Sequence, residues 1–170
     1  LLTEEERHEF ETQGYFIVKD VLDSDQCENL IKAADRVDAE FRKQNRSNPH
    51  KPISTTDFIG HDDQFVELLD WYKTFPKVWD LMGWNIQLYH AHLTVTPPLP
   101  SDAPRERKRL GWHQDSPVLN SEMGTNPFPM ISLKVGFFLT DTRETDQGNF
   151  YVVPGSHLLT EAPPAGDGPN

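Results

Sequence analysis

The chain has 170 residues and a formal net charge of −11, with 36% hydrophobic and 11% aromatic residues. This length accommodates one domain with a sizeable core, and the acidic balance argues against nucleic acid or an anionic membrane surface as the main partner. The longest apolar runs are too short to span a bilayer, and a basic, apolar leader pattern is absent from the first residues. Because the single cysteine, Cys27, cannot form an internal disulfide, a cytoplasmic location is expected.

The first segment carries the signals of a short helix. Thr3 followed by Glu6 predicts a capping box, and Gly14 predicts the C-terminal end of the helix. Residues 15–18, which are aromatic and β-branched, are predicted as a short strand.

A second, longer helix is predicted over residues 24–41, capped by Asp23 or Ser24. Its apolar residues recur at the spacing of one helical face: Cys27, Leu30, Ile31, Ala34, Val37 and Phe41. The polar residues 44–56 are predicted as a loop, and Asp62 or Asp63 as the cap of the next helix. Two short helices are then predicted over residues 63–72 and 76–82.

From Trp84 onward the pattern favours strands, which are predicted over residues 86–96, 130–140 and 149–153. Helices first and strands later indicate an α+β chain in which the helices pack on a sandwich or barrel. We therefore expect one domain with a mainly helical part over residues 1–83, strands over 84–158, and a loop or tail over 159–170.

The chemistry centres on His113-Gln114-Asp115. On a strand, residues i and i+2 point to the same face, so this spacing directs an imidazole and a carboxylate at one point. Such a pair supplies two ligands of a two-histidine, one-carboxylate iron(II) site, which leaves coordination positions open. An isolated His-x-Asp is common by chance, and without a metal it would form an ordinary hydrogen bond at a strand end.

Three motifs in order make the pattern far more specific. They are Gly-Trp-His-Gln-Asp at 111–115, Phe-Phe-Leu-Thr-Asp at 137–141, and Gly-Asn-Phe-Tyr-Val-Val-Pro-Gly-Ser-His at 148–157. With the opening helix and residues 14–18, this order resembles the phytanoyl-CoA dioxygenase family over nearly the whole chain.

The resemblance implies a double-stranded β-helix (jelly roll), here incomplete, with N-terminal helices packed on the sheet. It implies an iron(II), 2-oxoglutarate-dependent dioxygenase that uses O₂ to hydroxylate a C–H bond of a small organic substrate. His113 and Asp115 would be the first two iron ligands. A carboxylate at position 115 favours hydroxylation, because halogenating relatives carry a small residue there.

The sequence also departs from the family pattern. The family's second metal histidine and its 2-oxoglutarate arginine follow the Pro-Gly-Ser-His motif, and residues 158–170 contain neither His nor Arg. We therefore expect both beyond residue 170, in a longer protein. Two alternatives stay open: a naturally short member without the usual iron site, or a site completed by His157 or by a strand histidine.

Several other residues are candidates for the cofactor pocket. His90, His92 and Thr94 share one face of the predicted strand, where they either line the pocket or face solvent. Lys134 either contacts a cofactor carboxylate or lies on the outer face of the sheet, since burying an unpaired lysine is costly. Gln114 is a weaker candidate, because it points away from the two ligands on a regular strand.

One basic cluster interrupts the acidic chain just before the His-x-Asp motif. Its arginines, Arg105, Arg107 and Arg109, either steer an anionic small-molecule substrate or form a solvated loop. The sequence favours neither a particular substrate nor a particular oligomeric state.

Two classes of function remain open: an iron and 2-oxoglutarate hydroxylase, and a non-catalytic binding or structural module that keeps the sheet without a competent iron site. A jelly roll without its last strands exposes sheet edges and apolar surface. We therefore expect the 170-residue chain to melt at a lower temperature than an extended form.

Overall fold

The computed structural model describes residues 1–102, 112–145 and 147–160. The described residues divide into two compact units. The first holds Leu1 and residues 18–102, 135–145 and 147–150, and the second holds residues 2–17, 112–134 and 151–160.

Helix α1, Glu4–Gln13, belongs to the second unit and is fixed at both ends by local chemistry. The Glu6 amide donates to Thr3 Oγ1 (3.1 Å), and the Thr3 amide donates to Glu6 Oε2 (2.9 Å), which confirms the predicted capping box. At the other end Gly14 has φ 84° and donates its amide to the Phe10 carbonyl (2.8 Å). A glycine is suited to this left-handed position because it has no Cβ.

Helix α2, Ser24–Asn45, begins at the predicted place and extends four residues beyond the predicted end. Asp23 is its N-cap, and a second capping box joins Asp23 to Gln26, with both bonds at 2.8 Å. The helix continues past Phe41 because Arg42 donates to both carboxylate oxygens of Asp38 (2.9 and 2.8 Å) one turn earlier.

Both predicted short helices are present in the first unit. Helix α3, Asp63–Glu67, is shorter than predicted and is capped by Asp62, whose carboxylate accepts from the Gln64 amide (3.1 Å). A 3₁₀ turn, Ile59–His61, precedes it. Helix α4, Phe75–Met82, ends at Gly83, whose φ is 79°.

One antiparallel pair of strands is present in the described part of the chain. Strand β1, Ile53–Thr55, pairs with β2, Leu93–Val95, so that Ile53 lies opposite Val95. The prediction of a loop over residues 44–56 is therefore wrong at its end. The β-branched residues of β1 favour a strand, but its partner lies far along the chain and no local pattern indicates it.

The core of the first unit forms where α2 meets α3. Its buried residues are Leu30, Ala33, Ala34, Val37 and Phe65, and Leu93 and Leu139 pack against them. Three of the six residues predicted for the apolar face of α2 are thus buried, while Ala33 was missed. A small side chain contributes little to an apolar pattern, yet it lets a neighbouring element approach closely.

Most of the predicted strands do not form among the described residues. Residues 15–18, 130–140 and 149–153 lie outside any strand, and residues 93–95 alone are paired within the predicted strand 86–96. A strand requires a hydrogen-bonded neighbour as well as β-favouring residues, and these segments have no such neighbour in the described structure. Helices with a small antiparallel sheet nevertheless confirm the α+β class.

None of the described helices combines the length and the apolar character needed to cross a bilayer.

Candidate metal centre

The His-x-Asp motif lies on a turn in the second unit, and its predicted strand is absent. Ser116 has φ 56°, so the backbone reverses directly after Asp115 and enters helix α5, Pro117–Met123. The sequence contains the signals of this helix, which are a Ser-Pro start and Gly124 after the last residue.

The side chains of His113 and Asp115 lie close together. Nε2 of His113 lies 3.6 Å from Oδ1 of Asp115, and the two side chains are 78% and 46% exposed. Two ligands that share one first-row metal ion at about 2.0–2.2 Å are separated by roughly 2.8–3.6 Å between octahedral and tetrahedral angles. The observed separation is at the upper end of this range, so it is compatible with both donors binding one ion.

Asp115 has two further partners in the same unit. Nζ of Lys134 lies 3.5 Å from Oδ2, the carboxylate oxygen that does not face His113. The main-chain oxygen of Asp115 accepts from Nδ2 of Asn120 (3.2 Å), a buried residue of α5. Asp115 is therefore held at the backbone by Asn120, and each carboxylate oxygen has a nitrogen nearby.

Gln114, which lies between the two candidate ligands, contacts the segment that follows the Pro-Gly sequence. Its Nε2 donates to the carbonyls of Ser156 (3.2 Å) and Leu159 (2.9 Å). Ser156 is the first residue of the 3₁₀ turn Ser156–Leu158 that follows the Pro-Gly sequence, and Leu159 comes directly after that turn. Gln114 thus joins the His-x-Asp turn to the Pro-Gly-Ser-His turn, a role that the sequence did not indicate.

His157 contacts helix α1 within the second unit. Its Nε2 lies 3.1 Å from the main-chain oxygen of Glu11, and the amide of Gly155 donates to the carbonyl of Gln13 (2.9 Å). These contacts satisfy carbonyls at the end of α1 that have no partner within the helix. In this arrangement His157 stabilises the helix end, and its role toward a metal stays a proposal.

The three cofactor-pocket candidates of the predicted strand 86–96 belong to the first unit. His90, His92 and Thr94 are exposed, whereas Leu93 between them packs on the core, so the predicted alternation of faces is present. The Nε2 atoms of His90 and His92 lie 2.5 Å apart, so the two rings are in direct contact with each other. His90 also lines a shallow groove of about 220 Å³ together with Asp57 and Tyr89.

The predicted substrate-steering residues Arg105, Arg107 and Arg109 lie outside the described residues. The described parts of the chain also contain no group of three or more His, Cys, Asp or Glu side chains that could hold one metal ion. The donor types of His113 and Asp115, a borderline nitrogen and an anionic oxygen, still fit iron(II) as two of its ligands.

The sequence comparison identifies the class of protein. The family model for phytanoyl-CoA dioxygenase (PhyH) matches residues 10–170, so the chain belongs to the phytanoyl-CoA dioxygenase family. No curated protein and no solved structure gives a significant match. Members of this family generally use iron(II) and 2-oxoglutarate and adopt a cupin or jelly-roll fold.

Proposed function

We propose that the protein is a non-haem iron(II), 2-oxoglutarate-dependent dioxygenase that hydroxylates a C–H bond of a small organic substrate. The observation that carries the proposal is the convergence of His113 Nε2 and Asp115 Oδ1 at 3.6 Å in a chain of this family. Within the α+β class, we propose a double-stranded β-helix with N-terminal helices packed on it as part of the same proposal.

The residues of the chain prepare a cation site before any cofactor binds. His113 would donate the Nε2 lone pair, and Asp115 would supply the negative charge that a divalent ion requires. Asn120 and Gln114 hold the turn that carries both ligands, which reduces the ordering that metal binding has to impose. Iron(II) with 2-oxoglutarate, when bound, would supply the oxidising chemistry with O₂ as co-substrate.

The other candidate residues are proposed to bind the cofactor or the substrate because of their charges and hydrogen-bond donors. His90, His92, Thr94 and Lys134 offer hydrogen-bond donors of the kind that binds a dicarboxylate, and Gln114 is a weaker candidate because both its donor bonds go to carbonyls. We propose an anionic small molecule as a substrate class that Arg105, Arg107 and Arg109 could attract.

The lone Cys27 accords with a reducing compartment, and we propose the cytoplasm as the location of the protein.

A second candidate function is a non-catalytic binding or structural module. It is favoured by the pairing of Asp115 with Lys134, and by the lack of a three-ligand group among the residues that the structure describes. The two candidates differ in whether iron(II) and 2-oxoglutarate are used at all.

The test measures cation binding and turnover in the same variants. Anaerobic Mn(II) titration should show binding that Asp115→Ala abolishes, because the variant loses its anionic ligand. In a form that extends beyond residue 170 and holds the expected third ligand and arginine, iron(II)-dependent formation of succinate from 2-oxoglutarate should be lost in the same variant. The matched control is His61→Ala, which removes an imidazole from the 3₁₀ turn of the first unit and should change neither measurement.

His157→Ala separates the open alternatives for the third ligand. If His157 binds the ion, this variant should lose Mn(II) binding to the same extent as His113→Ala. If His157 acts through Glu11 at the end of α1, it should lower the melting temperature and leave binding nearly intact. Mn(II) binding and succinate formation that both survive Asp115→Ala would contradict the proposed function.

A further inference from the structure

The two carboxylate oxygens of Asp115 face different groups. Oδ1 lies 3.6 Å from Nε2 of His113, and Oδ2 lies 3.5 Å from Nζ of Lys134. If one oxygen binds a cation beside the imidazole, the other is already next to a positive charge. The carboxylate is thereby oriented for binding through one oxygen.

Folding stability alone does not account for this pair. The side chains of Lys134 and Asp115 are 49% and 46% exposed, and ion pairs with this exposure contribute little to stability. An ammonium group beside a carboxylate does strongly affect the affinity of that carboxylate for a metal cation, since the two positive charges repel each other.

We propose that Lys134 is a positioning residue for the candidate metal centre, in which it holds Oδ2 of Asp115 and lowers the affinity of the site for divalent cations. The inference rests on the proposed function, since it takes Asp115 as a metal ligand. Residues that hydrogen-bond or pair with a ligating carboxylate orient it and tune the bound ion. Lys134 does so with a full charge, so its removal should increase affinity, whereas loss of a purely structural contact would decrease it.

The experiment counts free Mn(II) by electron paramagnetic resonance in titrations of the full chain. Lys134→Met keeps an unbranched side chain and removes the charge, and we expect its Kd for Mn(II) to fall about tenfold at low salt. The effect should shrink at high ionic strength because salt screens exposed charges. Lys134→Arg, which restores the charge, should return the weaker wild-type affinity.

The matched control is Lys32→Met. Lys32 pairs with Glu28 at 2.7 Å on α2, and both side chains are exposed, so this variant makes the same charge change away from the motif. Its Kd should equal that of the wild type. Lys134→Gln provides a second neutral variant if Lys134→Met fails to fold, as judged by circular dichroism.

The outcomes separate this inference from the proposed function. If Asp115→Asn abolishes Mn(II) binding, but the neutral Lys134 variants leave it unchanged or weaken it, the role proposed for Lys134 is wrong. The candidate metal centre is not contradicted by that result. An equal gain in Lys32→Met would overturn it as well, because net charge would then explain the effect. Absence of Mn(II) binding in the wild type and in every variant would overturn both.

Discussion

Nε2 of His157 lies 3.1 Å from the main-chain oxygen of Glu11, and the same ring lies directly over Gly14. A Cβ atom at position 14 would come within 2.5 Å of Nδ1 of His157. His157 thus packs against the end of α1 at Gly14, where the chain has no side chain that would displace the ring.

Gly14→Ala should therefore destabilise the second unit in two ways. The residue has φ +84°, a conformation that costs a non-glycine residue about 1–3 kcal/mol. The new methyl group would also displace the ring of His157. We expect the free energy of unfolding to fall by at least the conformational cost, measured by chemical denaturation.

Two other glycines separate these contributions. Gly124 is in the same left-handed region as Gly14 (φ 61°), and no described atom lies within 4 Å of the point that an added methyl group would occupy, so Gly124→Ala reports the conformational cost alone. Gly60 has ordinary φ and open space, so Gly60→Ala should have little effect. If Gly14→Ala costs no more than Gly124→Ala, or if adding His157→Ala does not relieve part of the cost, the contact with His157 is unimportant.

Gln114→Ala should release the His-x-Asp turn from the turn that follows Pro-Gly. Gln114 donates to the carbonyls of Ser156 and Leu159, and each lost hydrogen bond typically costs about 0.5–1.5 kcal/mol. Thermal melts monitored by circular dichroism should show a clear decrease in melting temperature. Gln44→Ala is the control, since Gln44 makes one exposed bond to Glu40 on α2. Equal melting temperatures for the two variants would contradict the proposed connection.

Local signals predicted where α1 and α2 begin, because both partners of each contact are close in sequence. Thr3 with Glu6 and Asp23 with Gln26 are three residues apart. The i, i+2 spacing predicted a strand that would direct His113 and Asp115 to one face. That strand is absent, although the two side chains lie 3.6 Å apart.

Contacts between distant residues were not predictable in this way. Lys134 lies 19 positions after Asp115, and the sequence offered a cofactor or the outer face of a sheet as its surroundings. The pairing of β1 with β2 was missed for the same reason, since β propensity identifies a strand and not its partner. Such contacts depend on how the chain packs, which one sequence pattern does not specify.

Ile53→Ala tests the strand that was predicted as a loop. Ile53 is 7% exposed and lies opposite Val95, so truncation removes buried apolar contacts and leaves a cavity. Such substitutions cost about 2–5 kcal/mol, which urea denaturation would detect readily. Ile17→Ala is the matched control, because Ile17 is 72% exposed and its loss should be nearly neutral. A nearly neutral Ile53→Ala would mean that residues 53–55 behave as a loop in solution.

The final prediction concerns the pKa of Asp141 at the turn after residues 137–140. Hydrogen bonds from the Arg143 side chain, followed by one from its main-chain amide, lower the pKa of Asp141 from 3.8 to about 2. Nε of Arg143 lies 2.9 Å from Oδ1, and Nη2 lies 2.5 Å from Oδ2.

The sign of the pH dependence follows from the lowered pKa. The contribution of the Asp141–Arg143 pair is complete above the ordinary pKa of 3.8, and it is lost as the pH falls through about 2. Because Asp141 is exposed, the effect on overall stability should be small, and the titration of the carboxyl group itself is the better measurement.

Carboxyl-carbon NMR should therefore show Asp141 titrating near pH 2 in the wild type. In Arg143→Ala the pKa should rise toward 3.8 without reaching it, since the main-chain amide of residue 143 can still donate (3.0 Å in the wild type). Arg36→Ala is the control, because Arg36 pairs with Asp62 elsewhere in the first unit and should leave Asp141 unchanged. A wild-type pKa of Asp141 near 3.8 would show that the pairing with Arg143 does not persist in solution.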